Sequence, residues 1–121
     1  MNAKYTQAVV VHCIDFRFKK YLDDWLNGHF GDGQYDRVSL AGGVYDFETV
    51  LGQIKISHGL HMVKTVVLIN HEDCGMYGPE GGEERQKADL TDVERRIKAQ
   101  FPNLVVEMYY LRLDGTFEQV S

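Results

Sequence analysis

Along the chain, runs of apolar β-branched residues alternate with segments whose apolar positions recur every three or four residues. Ala8–Val11 and Val66–Ile69 are continuous apolar runs, the pattern of strands buried on both faces of a parallel sheet. The second run belongs to a strand predicted over Lys64–Asn70, and a shorter strand, Asp36–Ala41, is broken by Gly42-Gly43. Leu104–Leu113, mixed apolar and polar, reads as a fourth strand, and Asp114-Gly115 is a hairpin signal that returns the chain as Thr116–Val120. Between these, Phe18, Tyr21, Leu22, Trp25 and Leu26 share one helical face, with a stop at Asn27-Gly28. Phe47, Val50, Leu51, Ile54 and His58 predict a second helix ending at Gly59. The capping-box pattern Thr91-Asp92-Val93-Glu94 starts a third, with Val93, Ile97 and Phe101 on its buried face and Pro102 at its end. Met76–Glu84, with three glycines and a proline, reads as a surface loop.

The order β-α-β-α-β-α-β-β with right-handed crossovers predicts a three-layer Rossmann-like α/β fold. Its parallel sheet has order 2-1-3-4, with a C-terminal antiparallel edge strand. At 121 residues the chain is expected to be one domain spanning 1–121. Strands one and three are then neighbours whose connections leave to opposite faces, so ligands are expected in the crevice beyond their C-terminal ends.

Both strands deliver chemistry to that crevice. The third runs into His71-Glu72-Asp73-Cys74-Gly75, and the first into His12-Cys13-Ile14-Asp15-Phe16-Arg17. Extended geometry would point Cys13, Asp15 and Arg17 to one side and His12 to the other. Two thiolates and an imidazole form a ligand set suited to zinc that leaves a fourth tetrahedral position open, as catalytic sites do. Asp15 either fills that position or stands back to orient a zinc hydroxide, and a bidentate pair with Arg17 would hold it off the metal. Two thiolates temper the Lewis acidity of zinc, so activity is expected to favour alkaline pH.

Composition narrows the partners. Acidic residues outnumber basic ones 18 to 13, for a net charge of −5, and the basic residues are scattered, which argues against nucleic acid. No apolar stretch approaches a membrane span, and the polar lead Met1–Gln7 does not read as a signal peptide, so a cytoplasmic protein is expected. In a reducing compartment its two cysteines favour metal or catalytic use over a disulfide. His58 and His61 flank a helix C-terminus, where the dipole favours a partly charged imidazole, and are not read as a second metal site. His29, His58, His61 and Tyr45 are unranked candidates for proton relay.

Three motifs taken together, Cys13-x-Asp15-x-Arg17, Ala41-Gly42-Gly43 and His71-x-x-Cys74-Gly75, resemble the β-class carbonic anhydrases. These are zinc lyases interconverting carbon dioxide and bicarbonate. The resemblance implies Zn2+ held by Cys13, His71 and Cys74, with Asp15 and Arg17 as the catalytic dyad. It also implies a substrate cleft lined by the glycine turn at Gly42 and Gly43, where backbone approaches a small ligand closely. Phe16 and Tyr45 each follow a site motif and are expected in the cleft wall. Phe16 and Leu40 stand where the family has smaller or more polar residues, predicting a more apolar cleft. The family also implies a homodimer, weakened here because only seven residues precede Ala8 where relatives carry a helical arm. Two alternatives stand beside carbon dioxide hydration. One is the same site acting on carbonyl sulfide or carbon disulfide; the other is a non-enzymatic zinc-binding or regulatory domain with Asp15 closing the metal shell. A thiol redox role is weaker, since the cysteines lack a C-x-x-C arrangement.

Overall fold

The computed structural model describes residues 4–79 and 81–121. Met1–Ala3 of the polar lead and Glu80 of the glycine-rich loop lie outside the described residues. The five strands are β1 (Ala8–Cys13), β2 (Tyr35–Leu40), β3 (Thr65–His71), β4 (Val105–Leu111) and β5 (Phe117–Val120). They form one sheet in the order β2-β1-β3-β4-β5, parallel except for the antiparallel β4–β5 pair. This is the expected topology, with β1 and β3 adjacent at the switch point.

Alternation along the central strands divides the core into two layers. Val9, Val11, Val66 and Leu68 pack toward α2 (Phe47–His61) and α3 (Glu83–Gln100), meeting Val50, Ile54, Leu90, Val93 and Ile97. Val10, Val67 and Ile69 pack on the opposite face against Phe18, Leu22 and Leu26, the last two from α1 (Lys19–Phe30). With helices on both faces, β1 is apolar through Val11 and β3 from Val66 through Ile69, which is why both read as unbroken runs.

Several boundaries differ from the sequence pattern. Gly28 and Gly59 do not stop their helices; α1 runs on to Gly31 (φ +95°), and α2 to Met62, which caps it in the left-handed region (φ 56°). An exposed glycine weakens a helix but does not end it while the buried face continues to pack. The third helix begins at Glu83, eight residues before the capping-box pattern. Thr91 lies inside the helix, its hydroxyl donating back to the Lys87 carbonyl (3.2 Å). The preceding turns are held by the Glu83–Lys87 and Arg85–Asp89 pairs, one turn apart, and by buried Gln86 and Leu90. Nor does β1 stay extended through Arg17. Phe16–Phe18 form a 3-10 turn capped by Asp15, whose carboxylate accepts the Arg17 backbone N–H. Asp15 and Arg17 therefore meet around a turn, not by strand alternation.

Candidate metal centre

Cys13 closes β1, His71 closes β3, and Cys74 follows in the turn after β3. Their ligand atoms lie within 4.8 Å of one another, and all three residues are buried. This is the one such cluster among the described residues, and its members come from the two strand ends that the topology brings together.

The state of His71 tests whether the cluster suits a metal. Its Nδ1 donates to the Glu72 carbonyl (2.8 Å), which leaves the lone pair on Nε2. That atom is buried and has no hydrogen-bond partner among the described residues. A buried polar atom left in this state is destabilising, and a cation shared with two sulfurs removes the penalty. The second nitrogen, fixed by a backbone carbonyl, is the usual support of a metal-bound histidine. The residues fit zinc.

The sulfurs are not equivalent. Burial pushes the Cys13 thiol up, but the adjoining His71 ring and the backbone N–H groups of Gly42 and Asp15 outweigh it and bring its pKa down to about 7. The Gly42 N–H lies 3.4 Å from Cys13 Sγ. At Cys74 burial dominates and the thiol is raised, with the neighbouring Cys13 adding to the effect. One ready thiolate beside one reluctant thiol is what like charges in a common site produce.

Asp15 and Arg17 sit at the rim. Arg17 Nε donates to both carboxylate oxygens (3.1 Å each) and Nη2 to Oδ2 (2.7 Å). These hydrogen bonds hold the Asp15 carboxyl below the usual carboxylate range. Its Oδ2 stands 3.8 Å from His71 Nε2, on the doorstep of the ligand cluster. Arg17 is itself gripped from the turn after β3: Nη1 donates to Asp73 Oδ2 (3.0 Å) and Nη2 to the Asp73 carbonyl (2.9 Å). Asp73 makes this contact from a left-handed conformation (φ 60°).

An open cleft of ≈ 530 Å³ leads to the cluster, lined by Cys13, Asp15, Arg17 and Cys74 with an apolar rim of Ile14, Phe16 and Met76. Phe16 is 86% exposed, so its ring stands free at the mouth. Ala41 and Gly42 line the cleft; Gly43 and Tyr45 are not among its lining residues. Gly43 backs onto Asn70, and Tyr45 meets the Tyr77 ring edge-on at 5.0 Å.

The remaining histidines stand apart. His12 is buried with Nδ1 donating to the Cys13 carbonyl (2.8 Å) and Nε2 accepting from Arg37 (2.7 Å). Burial lowers its pKa. His61 pairs with Asp36 (2.5 Å), His58 packs near Phe101, and His29 stacks on Trp25.

Sequence reasoning missed Asp73, Asn70 and Tyr77. Asn70 carried a usable signal, since a polar residue within a strand buried on both faces must find internal partners. Tyr77 carried none, lying in a segment read as surface loop, yet it is buried against Cys13 and Cys74.

A family model described as "Putative carbonic anhydrase" matches residues 3–121. An uncharacterized protein of Rickettsia bellii is 27% identical over 132 residues, covering 93% of this chain and 80% of that protein. Among solved structures, the carbonic anhydrase from Glaciozyma antarctica has a TM-score of 0.74 at 19% identity, covering 94% of this chain and 81% of that one. The β-carbonic anhydrase isoform I from Trichomonas vaginalis has a TM-score of 0.73 at 16% identity, covering 99% and 86%. Such identities speak for the fold, with its 2-1-3-4-5 sheet. The family match spans all three site motifs: the chain belongs to the family described as putative carbonic anhydrase, and its fold is that of the β-carbonic anhydrase structures.

Proposed function

We propose that this protein is a zinc-dependent lyase that hydrates carbon dioxide to bicarbonate. The observation carrying the reading is the buried Nε2 of His71, which has no hydrogen-bond partner among the described residues and is clustered with two thiols, with an ionised carboxylate held 3.8 Å away. Cys13, His71 and Cys74 would hold the ion. Zinc, when bound, supplies a Lewis acid that makes water ionisable near neutral pH.

The chain's own groups do the rest. Asp15, kept ionised by Arg17, is an acceptor at neutral pH and orients the nucleophile's proton. Arg17 restrains that carboxylate at the rim, and Asp73 restrains Arg17. Ile14, Phe16 and Met76 give an apolar wall to a substrate that carries no net charge. Carbonyl sulfide and carbon disulfide satisfy the same wall. The proximity of Asp15 to His71 favours one second reading: a turn of the carboxylate would close the metal shell and make the site a store or sensor.

Stopped-flow carbon dioxide hydration by zinc-quantified protein tests the proposal. Turnover is expected to rise between pH about 7 and about 9. Asp15→Ala is expected to lower it on the order of 10²–10⁴-fold with zinc content unchanged. Zinc-loaded protein that turns over only the sulfur analogues would change the substrate. One that turns over none of them would leave the store or sensor.

A further inference from the structure

Packed against the two thiols, and outside the residues that line the cleft, lies a buried polar network that metal ligation does not use. Asn70, near the end of β3, is 1% exposed. Its Oδ1 accepts the Val44 N–H (3.2 Å), and its Nδ2 donates to the Tyr77 hydroxyl and the Gln86 carbonyl (3.3 Å each). The Tyr77 hydroxyl donates in turn to Asp89 on α3 (2.7 Å).

Two glycines show how tightly this network is packed. A Cβ on Gly81 would lie 2.2 Å from the Cβ of Tyr77. One on Gly43, whose φ is +61°, would lie 2.5 Å from Asn70 Oδ1 and 2.9 Å from the Ile69 carbonyl. The backbone is thus fitted around Tyr77 on one side and Asn70 on the other. What the fit positions is a set of donors. The turn held by Asn70 sets the Gly42 N–H 3.4 Å from the Cys13 sulfur, and the Met76 and Tyr77 N–H groups, on the loop carrying Tyr77, act against burial to favour the Cys74 thiolate. The Tyr77 ring packs against both cysteines.

We propose that Tyr77, anchored by Asp89, is a positioning residue for the metal centre. It locks the Ala41-Gly42-Gly43 turn and the loop after Cys74 in the one arrangement whose N–H groups converge on the two thiolates. The proposal rests on the reading of Cys13, His71 and Cys74 as a zinc site. N–H donors to a thiolate stabilise its charge and tune how strongly it donates to the metal. Removing the hydroxyl takes one partner from Asn70 and one from Asp89, and it loosens the side chain that holds the Val44 end of the turn carrying Gly42.

The test uses the full chain as Tyr77→Phe, Asp89→Ala and Asp89→Asn. It reads zinc affinity by chelator competition and the sulfur-to-metal charge-transfer bands of cobalt(II)-substituted protein. Tyr77→Phe and Asp89→Ala are each expected to weaken zinc binding about 10-fold or more and to shift the cobalt bands. Asp89→Asn keeps a side-chain carbonyl as acceptor and is expected to stay within about twofold of the parent. The double variant Tyr77→Phe/Asp89→Ala is expected to be no worse than the weaker single, because both act through one hydrogen bond. Unchanged affinity and bands in Tyr77→Phe, with only a lower melting temperature, would reduce Tyr77 to a packing role and overturn the proposal. If Tyr77→Phe does not fold, the contrast between Asp89→Ala and Asp89→Asn decides it in the same terms. A parent protein that binds neither zinc nor cobalt through Cys13, His71 and Cys74 would overturn the metal reading itself, a different failure from insensitivity to Tyr77.

Discussion

Two arginines in this molecule do nearly the same thing. Arg17 grips Asp15 and Asp73 at the C-terminal edge of β1 and β3, and Arg112 grips Glu83 and Glu118 where α3 meets β5. Both are raised well above the usual guanidinium range by their carboxylates. The difference lies in what each cluster leaves unsatisfied. Around Arg112 the carboxylates are shared with Lys87, and both cations stand over the Tyr110 ring, so the charges answer one another. Beside Arg17 lie a buried imidazole nitrogen without a hydrogen-bond partner among the described residues and two thiols of unequal acidity. An arginine between carboxylates is therefore no sign of chemistry. The unmet imidazole lone pair beside two thiols is.

The widest separation between the two regions is expected from metal binding. His71→Ala should weaken zinc binding by more than the about 10–100-fold that loss of an outer-shell partner produces, whereas Arg112→Ala should leave zinc content and turnover as they were. Equal loss in both variants, followed by atomic absorption, would erase the distinction.

The glycine turns sharpen it next. Gly43 (φ +61°) faces Asn70 and Gly115 (φ +92°) faces the Tyr21 ring, so alanine at either is strained, by about 1–3 kcal/mol. Thermal melts should fall for both, and zinc affinity only for Gly43→Ala.

Thiol reactivity gives a smaller effect confined to the site. In chelator-treated protein, alkylation of Cys13 should increase with pH through a midpoint near 7, with Cys74 following at higher pH. Mass-spectrometric mapping that finds the two cysteines titrating together would contradict the asymmetry.

The smallest effect belongs to the Arg112 cluster. Arg112 and Lys87 lower the Glu83 pKa from 4.5 to about 2, so its contribution is present above about pH 4.5 and lost as pH falls toward 2. Glu83→Gln should narrow the drop in melting temperature over that interval, and added salt should shrink the difference.

How much of this was legible in the sequence follows the same division. The buried strands could be read because a strand covered on both faces has no choice but to be apolar. His71 and Cys13 could be placed because such strands end at the ligand-binding edge. The helix limits at Gly28, Gly59 and Glu83 were not legible. The first two depend on packing of the opposite helix face. The third depends on ion pairs and a buried Gln86 that leave no apolar period. The turn at Phe16 escaped alternation because Asp15 caps it locally. Asp73 and Tyr77 escaped because their partners lie 56 residues back at Arg17 and 12 residues on at Asp89.

The proposed function requires an open three-ligand metal site with Asp15 held off the metal by Arg17. A crystal structure of zinc-loaded protein, with anomalous data collected across the zinc edge, tests it most directly. The predicted result is one zinc peak bonded to Cys13 Sγ, His71 Nε2 and Cys74 Sγ, with the Asp15–Arg17 pair intact outside the shell. A peak elsewhere, or Asp15 bonded to zinc with Arg17 turned away, would contradict it.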